Sequence, residues 1–278
     1  MAHATGEWLT FVDADDRLDP NHLELLMEGT KEGDPDIVIG GYKQYRVKEG
    51  ANGTVFSHEI PAEGAVDLRF VASLSTSIVA VCYSKVYRVS FLKASGILFD
   101  AKYTVGEDAI WVRQLMLQAK EMRVIPLSGY RYICSDVDSA VSRYHACFEF
   151  EDAKAKDTEL MCQMMKRGGC SSSEIDEYRN GKRYIDGYFM VCNLFKQGSP
   201  LSFGERRREV RRLVFNDATM RAAIEAQDRS KHNLFLKIYD RAYDTGSAWW
   251  MTVIFQLQYS LKYSLMPLYQ KIAPRLRR

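Results

Sequence analysis

Three carboxylates close an apolar run in Trp8-Leu9-Thr10-Phe11-Val12-Asp13-Ala14-Asp15-Asp16. Carboxylates spaced Asp-x-Asp can share one hard divalent cation, because Mg²⁺ and Mn²⁺ take oxygen ligands and complete their shells with phosphate and water. A metal-bridged phosphate ligand follows from that chemistry. Further along, Gly106-Glu107-Asp108 opens a helical pattern carried by Ile110, Leu115 and Met116, which offers a second acidic group. Its plainer role is to favour a helix N-terminus through the dipole. The plainer role of Asp13-x-Asp15-Asp16 is a capped turn.

The elements that would position these groups are legible around them. Trp8 to Val12, rich in β-branched and aromatic residues, reads as a buried strand whose end opens into a crevice, the usual place for ligands in an open α/β sheet. Asp19-Pro20 then starts a helix, with Asp19 as cap, Pro20 in the first turn, and Leu23, Leu26 and Met27 as the apolar face. Gly33-Asp34-Pro35 breaks the chain, and Asp36 to Tyr42 reads as a second strand. Strand, acidic loop, helix and strand make an α/β pattern.

Taken together, these segments resemble the family 2 glycosyltransferases, enzymes with the nucleotide-sugar-binding GT-A fold. The run from Gly6 to Leu26 is similar to that family's metal-binding segment. Val81 to Arg88, continuing to Gly96-Ile97-Leu98-Phe99, is similar to its Asn-Lys-Leu-Tyr acceptor-side segment, with Ser84 where the family has Asn. Gly106 to Trp111 is similar to its Glu-Asp segment, whose Asp is the catalytic base, so the resemblance puts that role on Asp108. It covers residues 4 to 145 and implies a nucleotide-diphospho sugar donor, with a UDP-sugar expected, and Mg²⁺ or Mn²⁺ as cofactor. Asp15 and Asp13 would hold the metal. Asp13, Asp16, Glu107 and Lys85 would face the donor. Ser139 and Arg143, in a segment resembling the family's loop that closes over the donor, would meet the diphosphate. Lys85 and Arg88 also read as plain surface cations at a strand-to-helix junction. The resemblance further implies a β-α-β-α stretch upstream, on the order of eighty to a hundred residues at one β-α-β unit per thirty or so. Only Met1 to Thr5 precede Gly6, so the chain reads as lacking the N-terminal part of the nucleotide-binding domain.

The chemistry supports the same roles. Sugar transfer needs the leaving phosphate charge neutralised, a task for a metal held by Asp15 and its neighbours. It also needs a proton taken from the attacking hydroxyl, which a carboxylate at Asp108 can do. Two other readings compete. A haloacid-dehalogenase phosphatase also places Asp-x-Asp after an apolar strand, but requires Thr or Val where this chain has Arg17. A non-catalytic binding remnant of the transferase fold is the other. His58, His145 and His232 form no ligand spacing.

The fold class expected is therefore an incomplete GT-A-like α/β domain over residues 1–148 and a helical region over 149–278. Apolar residues at 46% and charged residues at 27%, with 7 prolines, describe a globular chain. Six cysteines without a Cys-x-x-Cys pair or a secretory signal fit a reduced, cytoplasmic setting. Tyr130-Arg131-Tyr132 reads as the last strand of the first domain. Phe150 to Arg167 and Ser173 to Gln197 read as helices, with Tyr184, Tyr188, Val191 and Leu194 as a core stripe, and Ser202 with Glu205 as a capping box. Residues 201–278 carry 15 Lys and Arg against 7 Asp and Glu, a balance of +8 in a chain whose total is +2. The arginines at 206–208 and 211–212 read as a solvated helix face or as an attraction to anionic lipid. The last stretch, with Trp249-Trp250, Phe255, Leu257, Tyr259, Leu261 and Leu265, is interrupted by Gln256, Gln258 and Lys262. It reads as lying on the inner membrane face rather than spanning it. The acceptor expected is a glycan or lipid-linked glycan, and no nucleic-acid-reading motif is present.

Overall fold

A computed structural model describes residues 3–48, 51–74, 76–135 and 144–272. The chain packs as two compact units, residues 1–136 with 153–175, and residues 137–152 with 176–278. Among the described residues the nine strands all lie in the first unit: β1 (Trp8–Leu9), β2 (Arg17–Leu18), β3 (Ile37–Ile39), β4 (Tyr42–Lys48), β5 (Ala51–His58), β6 (Gly64–Val66), β7 (Lys85–Arg88), β8 (Met122–Val124) and β9 (Tyr130–Ser135). Helices α1 (His22–Glu28), α2 (Leu68–Ser73), α3 (Thr76–Ala80), α4 (Val89–Ser95) and α5 (Glu107–Gln118) lie between them. A mixed sheet runs in the order β1-β7-β3-β8-β6, and a second in the order β2-β9-β4-β5.

The continuous apolar run Ile37-Val38-Ile39 is fully buried because β3 has neighbours on both sides, β7 antiparallel and β8 parallel. Two glycines then carry the chain from the first sheet into the second. A Cβ on Gly41 would stand 2.2 Å from the His58 carbonyl oxygen and 2.9 Å from that of Leu127, so only glycine lets those backbones approach. Helix α1 seats Leu26 against Val38, Val86 and Ile125, and α5 buries Ile110, Trp111, Val112, Leu115 and Met116.

Three local expectations need correction. The strand at Trp8 ends at Leu9 and is half-buried, since β1 lies at the end of its sheet, and Val12 is exposed. Asp19 does not cap α1 with its side chain: its carboxylate pairs with Arg131, and Asn21 stands at the cap without a side-chain bond. Leu23 points to solvent, and the inward place beside Leu26 belongs to His22, which meets the Tyr130 ring.

The remaining helices follow one another along the chain. The end of α6 (Cys147–Arg167) and the start of α7 (Ser172–Leu194) belong to the first unit; the rest of α7 opens a helical second unit with α8 (Phe203–Val210), α9 (Ala218–Glu225), α10 (Leu234–Asp244) and α11 (Ala248–Ile272). Tyr184, Val191 and Leu194 are core residues, joined by Val214, Ile224, Tyr239 and Phe255. Ser202 and Glu205 form the reciprocal capping box that starts α8. Arg206 bonds Gln256 and covers the Phe195 ring, and Arg212 pairs with Glu151 and Glu209, so two of the five clustered arginines are tied down. His232 closes a polar knot with Asp240 at 2.6 Å and with Tyr184 at 3.1 Å.

Candidate functional site

The acidic loop is held by aromatic side chains on one flank and a tyrosine on the other. Phe11 packs edge-on against Trp111 of α5 at 5.3 Å, and against Tyr87 and Phe99 at 5.9 Å each. That clamp ties the loop to the helix whose first turn carries Asp108. Thr10 adds a hydrogen bond to the Lys85 carbonyl at 2.7 Å. On the other flank the Tyr130 hydroxyl donates to Asp16 Oδ2 at 2.5 Å and accepts the Asp13 amide at 3.1 Å, while the Ile133 amide donates to Asp16 Oδ1 at 2.8 Å.

Asp16 is thus a brace, each of its carboxylate oxygens accepting one hydrogen bond. Asp13 and Asp15 remain exposed at the loop, and among the described residues no lysine or arginine pairs with Asp13, Asp15 or Asp16. Desolvation raises the Asp13 carboxyl above its usual range, and the charges of Asp16 and Asp15 raise it further. Asp16 is raised chiefly by burial, against the lowering effect of its bonds from Tyr130 and Ile133. Crowded carboxylates without a protein cation suit a divalent ion that brings its remaining oxygens from a diphosphate. Among the described residues no group of three or more His, Cys, Asp or Glu could hold a metal unaided, so the ligand would have to share the shell.

Asp108 stands in the first turn of α5 behind Gly106, which adopts a left-handed backbone at φ 77°. Burial pushes its carboxyl up to about 6; Glu107 raises it further, and the amide of Ala109 and the charge of Lys85 act in the opposite sense. The Cys82 thiol is pushed up to about 12 chiefly by desolvation, with smaller contributions from the charges of Asp108 and Asp13. Tyr42 also lies within electrostatic reach of Asp108. Through the contact of Phe11 with Trp111, the fold brings the chain leading into the acidic loop against the helix that carries Asp108, nearly a hundred residues away in sequence.

Lys85 differs from its expected surface position. It is fully buried, and its Nζ donates to the carbonyls of Ile78 and Val81 at 2.7 Å each and of Tyr83 at 3.4 Å. Its donors are spent on the protein, which leaves none for a donor phosphate. Arg88 is committed as well, to Pro35, Glu7 and Asp34, with its guanidinium over the Trp8 ring. Ser84, where the family resemblance has Asn, takes a left-handed conformation at φ 52°. Asn is among the residues most tolerant of that region, which explains the preference at this place. Glu107 lies half-buried beside Asp108. Ser139 and Arg143 lie outside the described residues. Sequence reading missed Tyr130, Cys82 and Phe11 as parts of the site. The Tyr-Arg-Tyr alternation at 130–132 was the available signal for Tyr130, since it puts both rings on one face of a strand.

The pattern of Glycosyl transferase family 2 matches residues 1–95. That segment is about a third of the chain, and over it the chain is similar to glycosyl transferase family 2. Over 130 residues, 47% of the chain, it is 28% identical to a poly(ribitol-phosphate) beta-glucosyltransferase of Bacillus spizizenii, a match that spans 19% of that protein. It is 24% identical over 132 residues to the poly(ribitol-phosphate) beta-N-acetylglucosaminyltransferase TarS of Staphylococcus aureus, 48% of the chain and 22% of TarS. The matched stretches are thus about a fifth of those relatives' lengths. In three dimensions, TarS residues 1–349 in complex with UDP-GlcNAc superpose with a TM-score of 0.51 at 16% identity, covering 88% of this chain and 70% of that one. The fold of the chain is accordingly GT-A-like, with a helical C-terminal region.

Proposed function

We propose that this chain transfers a sugar from a nucleotide-diphospho donor to a hydroxyl of a cell-surface glycan or its lipid-linked precursor. The observation that carries the reading is the packing of Phe11, two residues before Asp13, on Trp111 of the helix whose first turn holds Asp108. Asp13 and Asp15 have the oxygens and the uncompensated charge to hold Mg²⁺ or Mn²⁺ together with a diphosphate. When bound, the metal would neutralise charge on the departing phosphate. Asp108 takes the proton of the acceptor hydroxyl as the new bond from that oxygen to the anomeric carbon forms. The bond from that carbon to the phosphate oxygen breaks, and its electron pair leaves with the nucleoside diphosphate. One displacement of this kind inverts the anomeric centre. A carboxyl near 6 is suited to the task, since at neutral pH it is ionised yet more basic than a free carboxylate. The complexes of TarS with UDP-GlcNAc and with UDP support a UDP-sugar as donor.

The test of this reading is calorimetric titration with UDP, with and without Mn²⁺, of the wild-type chain and of Asp15→Asn. Mn²⁺-dependent binding that Asp15→Asn weakens supports it. Equal binding by the two proteins, or release of phosphate from a generic phosphomonoester, overturns it.

The same proposal puts the chain at the cytoplasmic face of a membrane. Among the described residues no helix is long and apolar enough to cross a bilayer. On α11, however, Met251, Phe255 and Tyr259 face the core, while Trp250, Leu257 and Leu261 line the opposite face and are each more than half exposed. Residues 245–278 contain five Lys and Arg and no Asp or Glu, which suits an anionic lipid surface. Sedimentation with phosphatidylglycerol vesicles, lost in Trp250→Ser/Leu257→Ser and absent with phosphatidylcholine, is the expected result. Equal recovery with both vesicle types would contradict it.

A further inference from the structure

The deepest cation of the first unit has no part in the mechanism above. Lys85 has no exposed surface, and burying an ammonium is costly unless dipoles or counter-charges replace its water. Its neighbourhood supplies both. Desolvation lowers the Lys85 pKa to about 7, while three carbonyls, of Ile78, Val81 and Tyr83, converge on Nζ and the Asp108 carboxylate favours the charged form. Three acceptors use three N–H donors, which the ammonium has and the neutral amine lacks.

Those carbonyls run from α3, which holds Ile78, into the short stretch between α3 and β7, which holds Val81 and Tyr83, and the stretch is anchored from several directions. The Tyr87 hydroxyl donates to the Cys82 carbonyl at 3.0 Å. Ser84, in its left-handed conformation, donates Oγ to the Gly41 carbonyl at 2.6 Å and accepts the Gly40 amide at 2.9 Å on its own carbonyl. The carbonyl of Lys85 itself receives Thr10, three residues ahead of Asp13. The turn that Lys85 closes is therefore bonded to the strand entering the acidic loop and to the junction of the two sheets.

We infer that Lys85 is a positioning residue of the transfer site: its ammonium gathers the carbonyls of Ile78, Val81 and Tyr83 and so fixes the turn whose backbone holds Thr10 at the entrance to the acidic loop. The inference rests on the transferase reading above and assigns Lys85 an internal task in place of contact with the donor. A methionine there would fill the space but leave three carbonyls without donors, and the turn would relax toward other partners. Misplacement by about 1 Å at a reacting centre costs roughly 10²-fold in rate.

The experiment compares wild type, Lys85→Met, Ser84→Ala and Asp108→Asn in one series, reading melting temperature, Mn²⁺-dependent UDP affinity, and kcat and KM for UDP release from UDP-GlcNAc. Lys85→Met is expected to lose kcat by roughly 10²-fold with donor KM and UDP affinity little changed. Ser84→Ala, which loosens the same turn without touching the charge, is expected to lower kcat in the same way and by less. A folded Lys85→Met with wild-type kcat overturns the inference. So does a loss confined to KM and UDP affinity, which would mean that Lys85 serves donor binding. If Lys85→Met does not fold, Ser84→Ala decides, and unchanged kcat there counts against the inference. Asp108→Asn separates the two claims: turnover in that variant defeats the transferase reading itself, whatever Lys85 does.

Discussion

The Tyr130 hydroxyl stands between the two ends of the acidic loop, donating to Asp16 Oδ2 at 2.5 Å while it accepts the amide of Asp13 at 3.1 Å. One atom on β9 therefore fixes the spacing of the carboxylates across a sequence separation of more than a hundred residues. The loop has few other fixed points, since β1 ends at Leu9 and the turn is exposed.

Tyr130→Phe keeps the ring and removes that atom. The Asp13 amide loses its acceptor, and Asp16 keeps only the Ile133 amide. Stability is expected to fall by about 1–2 kcal/mol, read from urea unfolding. Mn²⁺-dependent UDP binding is expected to weaken several-fold in the same variant. Unchanged UDP affinity would show that the brace does not shape the donor site.

Asp108 sets an acid limit on activity. Its carboxyl is raised from 3.8 to about 6, chiefly by burial, and only the ionised form can accept the acceptor's proton. Turnover is expected to fall about tenfold per pH unit below that value and to level above it. A pH profile of kcat tests this, and activity that stays flat through the usual carboxylate range would exclude Asp108 as the base.

The same shift has the opposite consequence for stability. A folded-state value raised above the unfolded one means that the protein holds the Asp108 proton more tightly than the unfolded chain does. The resulting stabilisation is fully present below the unfolded value and is lost as pH rises through about 6. Above that, the buried ionised group costs on the order of 2–3 kcal/mol. Asp108→Asn removes this cost, so the variant is expected to be more stable than wild type at neutral pH, with the gain disappearing near pH 4 or so. Equal stability at both pH values would contradict the burial argument.

Much of this architecture can be read from local pattern. Ile37-Val38-Ile39 has no polar interruption because both edges of β3 are paired, and the Ser202 and Glu205 spacing makes α8 begin where it does. The glycine after Ser95 ends α4 in a left-handed cap, as its residue type suggests. What local pattern cannot carry is the choice among distant partners. Asp19 has the right residue type and spacing for a cap, but Arg131, over a hundred residues away, takes its carboxylate. Asp16 matches a metal-binding motif as well as its neighbours do, and only the arrival of β9 turns it into a brace. Trp8 to Val12 has the composition of a long buried strand, whereas Phe11 leaves the sheet to meet Phe99 and Trp111. Lys85 reads as a surface cation by type, since lysine is rarely buried. Its burial depends on three carbonyls that converge only in the folded turn.

The most direct test of the account is a paired measurement on Asp108→Asn: sugar transfer from UDP-GlcNAc, followed as UDP release, and Mn²⁺-dependent UDP affinity by calorimetry. The account predicts that transfer falls by roughly 10²–10⁴-fold while UDP affinity stays at the wild-type value, because the base touches the acceptor and the acidic loop holds the diphosphate. Transfer at the wild-type rate, or a loss of UDP affinity that matches the loss of rate, would contradict it.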